Sequence, residues 1–312
     1  MRGATIAALV ASAAMLVRPP GVLAAGRWGA DYFPNVALTT QDGKVVRFYD
    51  DLLKGKSVAV NLIYTRCTAS CPLETAKLAQ VQRLLGDRVG KDIFFYSISI
   101  DPAHDTPAVL KAYAEKFHVG PGWLFLTGNE DDIKLLGKRL GLSSLTDLAS
   151  RDGHQPSLMI GKEPTGEWMR NSAVDNPRFL ATTMTNFFGN RGKAIAPAKS
   201  YANAPAMPDI GSGGYLFRSR CSACHTIGMG PAVGPDLAGV TSRRDRAWLV
   251  RYVSEPDRLL AEKDPIAADL FARYRSVRMP NLELSSDEVA GLLRYIEDQG
   301  RAAAPVRNAA MP

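Results

Sequence analysis

Four cysteines, arranged as two close pairs far apart in the chain, constrain the fold of this protein more than any other feature. Cys67 is paired with Cys71, and Cys221 with Cys224. Two close pairs in separate regions are typical of two redox or metal sites and differ from the framework of a disulfide-stapled domain. A chain of 312 residues has room for two domains of roughly 150 residues each. The sequence therefore predicts two domains and two cysteine sites.

The first 25 residues have the composition of an export signal. Arg2 is followed by an apolar run over residues 4–17, by Arg18 and by a segment that ends in Ala24-Ala25. A positive start, a short apolar run and small residues are typical of a secretory signal peptide, and the run is shorter than the about 20 residues that span a membrane. We expect an exported protein of the periplasm or cell envelope, with an uncleaved N-terminal membrane anchor as the alternative.

The charge of the chain does not favour a nucleic-acid partner. The formal net charge is +7, and it falls to +5 when Arg2 and Arg18 leave with the signal peptide. Residues 210–300 contain 12 basic and 12 acidic side chains. Nucleic-acid binding would need a basic stripe with interleaved aromatic residues, whereas the tight basic cluster at residues 243–246 is short. The sequence predicts a solvated surface and no nucleic acid.

Composition also predicts where the domains end. Residues 192–208 are rich in Ala and Pro and have no helical or strand period, which is typical of a semi-extended spacer. The C-terminal segment has a similar composition. The predicted organisation is a signal peptide at 1–25, a first domain at 26–190, a linker at 191–209, a second domain at 210–300 and a flexible tail at 301–312.

The first domain alternates predicted strands with predicted helices. Apolar, β-branched runs predict buried strands at 57–64, 93–100 and 123–126, and a hairpin is predicted from 157–160 and 168–170. Helices are predicted at 73–85, 105–117, 131–140 and 177–188. This order predicts a layered α/β sheet with helices on both faces. The second domain shows no strand pattern and is predicted to be all-helical.

The first cysteine pair follows a predicted strand and precedes a predicted helix. Open α/β sheets bind ligands at the carboxyl ends of their strands, and a helix start lowers the pKa of a cysteine. If the turn around Cys67 is helical, the i,i+4 spacing places both sulfurs on one face. Two converging thiolates suit copper or a reversible disulfide, and an inert structural disulfide is the alternative.

Three histidines lie near this predicted sheet. His154, in a polar loop just before an apolar strand, is a candidate third ligand, and an ordinary solvated loop histidine is the alternative. His104 and His118 are predicted to be ordinary surface histidines. His118 falls at a helix end, where a cation is favourable.

Two segments of the first domain resemble the Sco/SenC family. Residues 64–72, YTRCTASCP, are similar to its CxxxCP signature, and residues 99–107, SIDPAHDTP, to its S-x-D-P-x-x-D-T-P signature. The likeness covers about residues 30–190. It implies a thioredoxin-like fold that binds one copper through Cys67, Cys71 and His154. The family histidine usually follows an aspartate directly, whereas Gly153 precedes His154 here.

The resemblance also implies a role. It implies copper delivery, or thiol reduction by the Cys67–Cys71 redox pair, during assembly of the copper centre of a haem–copper oxidase. The implied partner is the copper-bearing subunit of that oxidase, together with other envelope redox proteins. The expected activities are electron transfer and thiol–disulfide exchange.

The second cysteine pair belongs to the motif Cys221-Ser222-Ala223-Cys224-His225, which is the CxxCH attachment signature of c-type haem. The spacing lets two thiols bond the porphyrin edge while the histidine supplies the proximal iron ligand. The alternatives are a redox CxxC and half of a zinc site, but zinc would need a second ligand pair nearby. The sequence therefore predicts covalently attached haem c.

Residues 210–300 resemble a class I cytochrome c throughout. The segment at 234–240, GPDLAGV, matches the family segment whose proline carbonyl orients the proximal histidine. Met279, in the sequence RMPNL, is the predicted sixth ligand of the iron. Met229 is the alternative, but it lies only four residues after His225 and so on the same side of the ring. Methionine opposite histidine raises the haem potential, which suits electron transfer.

The two predicted domains together suggest one leading function and two alternatives. A spacer raises the effective concentration of one redox site at the other to about millimolar. The leading hypothesis is an envelope metallochaperone or thiol reductase whose haem domain exchanges electrons with the copper or dithiol site.

The runner-up is a periplasmic electron-transfer or redox-sensing protein whose thioredoxin-like domain is not a copper donor. A third class, an enzyme with a small-molecule substrate, lacks a Ser/His/Asp set, a phosphate loop or a nucleotide fingerprint.

Overall fold

The computed structural model describes residues 28–143, 155–189 and 211–303. The predicted signal peptide, the predicted linker and His154 lie outside these residues. Within them, no helix is both long enough and apolar enough to cross a membrane.

The first domain is built on a seven-stranded mixed sheet. The strands are β1 Ala37–Thr40, β2 Val45–Arg47, β3 Ser57–Ile63, β4 Ile93–Ser99, β5 Trp123–Gly128, β6 Ser157–Lys162 and β7 Glu167–Ser172. Their order is β2-β1-β5-β4-β3-β6-β7. Strands β3, β4 and β5 are parallel, and β1 and β6 flank them in the antiparallel direction. The parallel centre is the most buried part of the sheet, as expected for parallel strands covered on both faces.

Helices cover both faces of this sheet. They are α1 Cys71–Leu85, α2 Pro107–Lys116, α3 Glu130–Arg139 and α4 Pro177–Phe188. Buried side chains of α1, α2 and α4 form one apolar cluster, and those of α3 and a short π-helical turn at Phe48–Leu53 form the other. The predicted α/β layering is therefore confirmed. The β1–β2 hairpin was not predicted, because its two strands are short and partly exposed.

The second domain is helical. Its helices are α5 Gly211–Leu216, α6 Val240–Arg243, α7 Arg246–Ser254, α8 Pro256–Ala261, α9 Pro265–Arg273 and α10 Ser286–Ala303. Helix α5 crosses α10 at close range, since a Cβ added to Gly213 would lie 2.2 Å from the carbonyl oxygen of Gly291. Only glycine fits this crossing. The β-structure between described residues 211 and 303 is a single bridge between Thr226 and Asp236.

The last helix extends beyond its predicted end. Ser285 and Glu288 form a reciprocal capping box, in which the Ser285 N–H donates to the Glu288 carboxylate at 2.8 Å. The helix continues to Ala303, so the first three residues of the predicted tail at 301–312 are helical. Arginine and alanine are strong helix formers, so composition alone does not show whether residues 301–303 continue the helix or form part of a frayed tail.

Helix α4 offers a matched test of the packing between α1 and α4. Leu180 is fully buried, whereas the neighbouring Phe179 is 58% exposed. We expect Leu180→Ala to lower the free energy of unfolding of the first domain by about 2–5 kcal/mol, because it leaves a cavity. Phe179→Ala should stay within about 0.5 kcal/mol of the wild type. Urea unfolding followed by tryptophan fluorescence measures both, and equal effects would contradict this account of the packing.

Candidate functional site

The first cysteine pair lies at the junction of β3 and α1. Strand β3 ends at Ile63, and Cys71 is the first residue of α1, with Pro72 in its first turn. Cys67 lies in the preceding turn, where its N–H donates to the Tyr64 carbonyl at 3.2 Å. Both side chains are buried, with exposures of 2% for Cys67 and 0% for Cys71. Cys67 therefore precedes the helix, and a turn rather than a shared helix face brings the two sulfurs together.

The two thiols have opposite acidities. The Cys71 side chain hydrogen-bonds the Cys67 sulfur and, with the backbone N–H groups of Cys71 and Ala69, lowers the pKa of Cys67 to about 6 despite its burial. Burial, followed by the Cys67 sulfur, raises the pKa of Cys71 well above its ordinary value. The predicted effect of a helix start is not seen at Cys71, the first residue of α1, because burial raises its pKa. Cys67 precedes α1, and its lowered pKa comes from hydrogen bonds to its sulfur. At neutral pH the pair holds one thiolate and one thiol.

A buried carboxylate fixes the start of the cysteine loop. Asp105 is fully buried and accepts hydrogen bonds from the Thr65 N–H at 3.0 Å and the Thr65 hydroxyl at 2.5 Å. The Ser99 hydroxyl, at the end of β4, donates to the same carboxylate at 2.5 Å. These bonds connect the SIDPAHDTP segment to the start of the cysteine loop. Sequence reasoning did not single out Asp105 as a positioning residue, although the second signature contains it.

A second carboxylate of that segment restrains the residue next to Cys67. Asp101 is buried and pairs with the Arg66 guanidinium at 2.9 Å and with the His104 imidazole at 2.9 Å. His104 was expected to be an ordinary surface histidine, and the structure instead pairs it with Asp101, while its side chain stays half exposed. His118 lies two residues after the end of α2 and has a positive φ of 55°.

The described residues contain two of the three predicted copper ligands. No group of three or more His, Cys, Asp or Glu side chains with metal-binding geometry occurs in residues 28–143, 155–189 and 211–303. His154 lies outside these ranges, so the ligand set Cys67, Cys71 and His154 stays a prediction.

The second cysteine pair and its histidine are arranged as a haem c would require. Cys221 ends a π-helical turn at Phe217–Cys221, Cys224 and His225 follow it, and none of the four cysteines forms a disulfide. The imidazole Nδ1 of His225 lies 2.9 Å from the Pro235 carbonyl, which leaves Nε2 for iron. Burial lowers the pKa of His225, so the ring is neutral and its lone pair is available.

Glycine and aspartate hold the segment opposite this histidine. A Cβ added to Gly234 would lie 2.6 Å from the Cε1 atom of His225, so only glycine allows the ring to sit there. Burial opposes the ionisation of Asp236, but the backbone N–H groups of Ala238, Gly228 and Gly230 lower its pKa to about 2. The ionised carboxylate thereby ties the segment after His225 to the segment that carries Pro235.

Two adjoining crevices of about 710 and 1050 Å³ open beside His225, and both are predominantly apolar. Cys221, His225, Pro235 and Met279 line both of them. Met229, in contrast, is 81% exposed. Two cysteine thiols, an oriented neutral imidazole and an apolar crevice beside them fit a covalently attached haem. The assignment of Met279 as sixth ligand stays a prediction, and its place on the crevice wall agrees with it.

The two sites lie at the contact between the two domains. The Asn281 N–H donates to the Thr68 carbonyl at 3.0 Å, and Thr68 is in the loop between the first two cysteines. Ala223, between the second two, belongs to the buried apolar cluster of α1. The Gln80 amide also donates to the Ser222 carbonyl at 3.3 Å. The redox centre of each predicted domain thus faces the other domain.

Comparison with known protein families agrees with this division of the chain. Residues 27–150 match the family model described as SCO1/SenC, and residues 211–299 match the model described as Cytochrome c. The chain joins a SCO1/SenC domain to a cytochrome c domain. The predicted fold class, a thioredoxin-like α/β domain followed by a small all-α cytochrome c domain, is confirmed. The SCO1/SenC match ends before His154.

Three similar proteins each match half of this chain or less. The SCO2-like protein of Rickettsia felis is 38% identical over 97 residues, which is 31% of this chain and 45% of that protein. The chain thus spans less than half the length of this relative. Bradyrhizobium japonicum ScoI with copper bound is 25% identical, with a TM-score of 0.40, over 48% of this chain and 96% of that one. BsSco, a member of the Sco family of cytochrome c oxidase assembly proteins, is 26% identical, with a TM-score of 0.42, over 50% of this chain and 93% of that one.

The acidity of Cys67 can be tested by titration. We expect thiolate absorbance, taken as the difference from Cys67→Ser, to rise near pH 6, well below the about 8.5 of an ordinary cysteine. Cys71→Ala removes the hydrogen bond that lowers this pKa most, so the transition should move to higher pH. Cys71→Ser retains a hydroxyl donor and should move it less. An unchanged midpoint in Cys71→Ala would contradict the assigned cause.

The two methionines can be distinguished in the haem-loaded protein. Met279→Leu should abolish the red-edge absorption band of a methionine–Fe(III) bond, because leucine has no sulfur to coordinate iron. Met229→Leu is the matched control and should leave the band unchanged, since Met229 is exposed. Persistence of the band in Met279→Leu would overturn the assignment.

Proposed function

We propose that this protein is an exported copper-binding metallochaperone and thiol–disulfide redox protein of the cell envelope. In this role it serves the assembly of the copper centre of a haem–copper oxidase. The observation that carries the proposal is the buried Cys67–Cys71 pair at the junction of β3 and α1, with its lowered pKa at Cys67. The SCO1/SenC domain match supports the same role.

The cysteine pair has the chemistry that such a role needs. The Cys67 thiolate is a soft ligand that suits copper, and loss of the Cys71 proton on binding supplies a second. His154 is the proposed third ligand, and imidazole also suits Cu(II). Without metal, the same pair can exchange with a disulfide, because a thiolate beside a thiol is the reactive form. The bonds of Asp105 and Asp101 keep the loop in place for either task.

The second domain is proposed to bind haem c through Cys221 and Cys224, with His225 and Met279 as axial ligands. A haem held there supplies one-electron transfer. The chain orients His225 through the Pro235 carbonyl and excludes water with an apolar crevice. The contact between the cysteine loop and the segment after Met279 supports electron exchange between the second domain and the cysteine site.

Export and the partners are part of the proposal. The N-terminal sequence supports export to the periplasm or cell envelope, where c-type haem is attached. The alternative is that the N-terminal segment stays uncleaved and anchors the protein to the membrane. The proposed partners are the copper-bearing subunit of a haem–copper oxidase and other envelope redox proteins.

A second candidate function needs no copper. In it the protein is a periplasmic electron-transfer or redox-sensing protein, and the thioredoxin-like domain acts only through its dithiol. The contact between Asn281 and Thr68 favours it, because this contact joins the two redox sites whether or not a metal is bound.

Copper analysis separates the two functions. We expect the purified, haem-loaded full chain to bind a single copper tightly and to lose it in Cys67→Ser. His154→Ala should weaken Cu(II) binding more than Cu(I) binding, because the remaining thiolates suit Cu(I). The control is His118→Asn, which changes an exposed histidine at a positive φ that asparagine tolerates. A wild-type chain that binds no copper would favour the second function, and equal loss of both ions would reject His154 as the third ligand.

A further inference from the structure

The haem crevice is not lined by the cytochrome c domain alone. Leu73, from the first turn of α1, lines it together with Cys221, Cys224 and Met279. Leu73 is 2% exposed and lies two residues after Cys71. One wall of the crevice therefore comes from the helix that begins at the first cysteine site.

The segment that carries Met279 is also held by the first domain. Pro280 has no N–H, so the Asn281 N–H is the first backbone donor after Met279, and it donates to the Thr68 carbonyl at 3.0 Å. Thr68 lies between Cys67 and Cys71, and it lines a smaller cleft together with Met279. The anchor of the methionine segment is thus part of the cysteine loop itself.

Further contacts hold the two domains in this arrangement. The Arg275 guanidinium donates to the Glu115 carbonyl at 3.4 Å at the end of α2, and the Gln80 amide donates to the Ser222 carbonyl. Val277 and Leu282 pack against the apolar cluster of the first domain. The contact therefore has an apolar centre and polar bonds around it, as interfaces between domains do.

We propose that the SCO1/SenC domain completes the haem site of the cytochrome c domain. The Leu73 side chain closes one side of the crevice, and the Thr68 carbonyl positions the segment that presents Met279 to the iron. Leu73 and Thr68 are positioning residues of the haem site. The inference rests on the proposed function only in requiring an attached haem, and it does not require copper.

This arrangement couples the two redox sites. An apolar wall excludes water and favours the less charged Fe(II) state, and the methionine ligand raises the haem potential further. A disulfide between Cys67 and Cys71 alters the loop that contains Thr68, and so alters the anchor of Met279. Coupling of this kind is reciprocal, so the oxidation state of the haem also changes the stability of the disulfide.

The first experiment measures the haem midpoint potential by spectroelectrochemistry of the full, haem-loaded chain. Leu73→Gln, which puts an amide in the wall at similar volume, should shift the iron equilibrium toward Fe(III) about tenfold or more, or 59 mV for one electron. The control is Leu84→Gln on the same helix, where leucine is 51% exposed, and it should leave the potential unchanged. A folded Leu73→Gln protein with the wild-type potential would overturn the proposal.

The second experiment leaves the core intact. In the haem-loaded chain Cys221 and Cys224 are bonded to haem, so Cys67 and Cys71 are the free thiols of the four cysteines. Diamide oxidises them to a disulfide and takes up the two electrons and two protons that they release. We expect the haem potential, titrated with mediators that carry no thiol, to differ between the dithiol and disulfide forms. The Cys67→Ser, Cys71→Ser double variant should not respond to diamide.

An identical haem potential in the two forms of the wild type would overturn the coupling. Copper titration of the same preparation tests the proposed function independently. A chain that binds no copper, yet shows the potential shift, refutes copper delivery and supports this inference. A chain that binds copper but shows no shift in haem potential supports copper binding and refutes this inference.

Discussion

The hydrogen bond that the Cys71 thiol shares with the Cys67 sulfur is the interaction on which the first site depends. It lets a buried sulfur carry a negative charge near neutral pH, which burial alone would prevent. The pKa of Cys71 is raised in turn, because burial and the neighbouring charge suppress its ionisation. The pair therefore combines a negatively charged Cys67 thiolate with a protonated Cys71 thiol. A metal ligand set and a thiol–disulfide couple can both start from that state.

The surrounding chain is organised to hold this pair at the edge of the sheet. Parallel β3 and β4 end side by side, and the carboxylate of Asp105 joins Ser99 at the end of β4 to Thr65 after β3. Three donors on one buried carboxylate offset its desolvation. In the second domain Asp236 plays a comparable part, since backbone N–H groups on its carboxylate fasten the segments around His225. At each cysteine pair, a neighbouring carboxylate thus holds the surrounding segments in place through hydrogen bonds.

The contact between the domains changes how each site is understood. Leu73 lines the crevice beside His225, and the Asn281 N–H, two residues after Met279, donates to the Thr68 carbonyl, so residues of the first domain contribute to the second site. The side chains of Cys67 and Cys71 have almost no exposed surface. A partner that takes copper or a disulfide from this pair would meet the cytochrome c domain at the same face.

Sequence alone determined the features that depend on local spacing. CxxCH specifies where haem can be attached, CxxxCP and SIDPAHDTP mark the first site, and hydrophobic periodicity located the main strands and helices within a few residues. The short β1–β2 hairpin and the helices α8 and α9 were not predicted. Strands β1 and β2 are short and partly exposed, and α8 and α9 bury only two side chains and one side chain, so the hydrophobic pattern of these segments is weak. Only the tertiary structure decided the unequal acidities of Cys67 and Cys71, the roles of Asp105 and Leu73, and the bond from Asn281 to Thr68. These depend on burial and on contacts between residues far apart in the chain, and no local pattern encodes such distances.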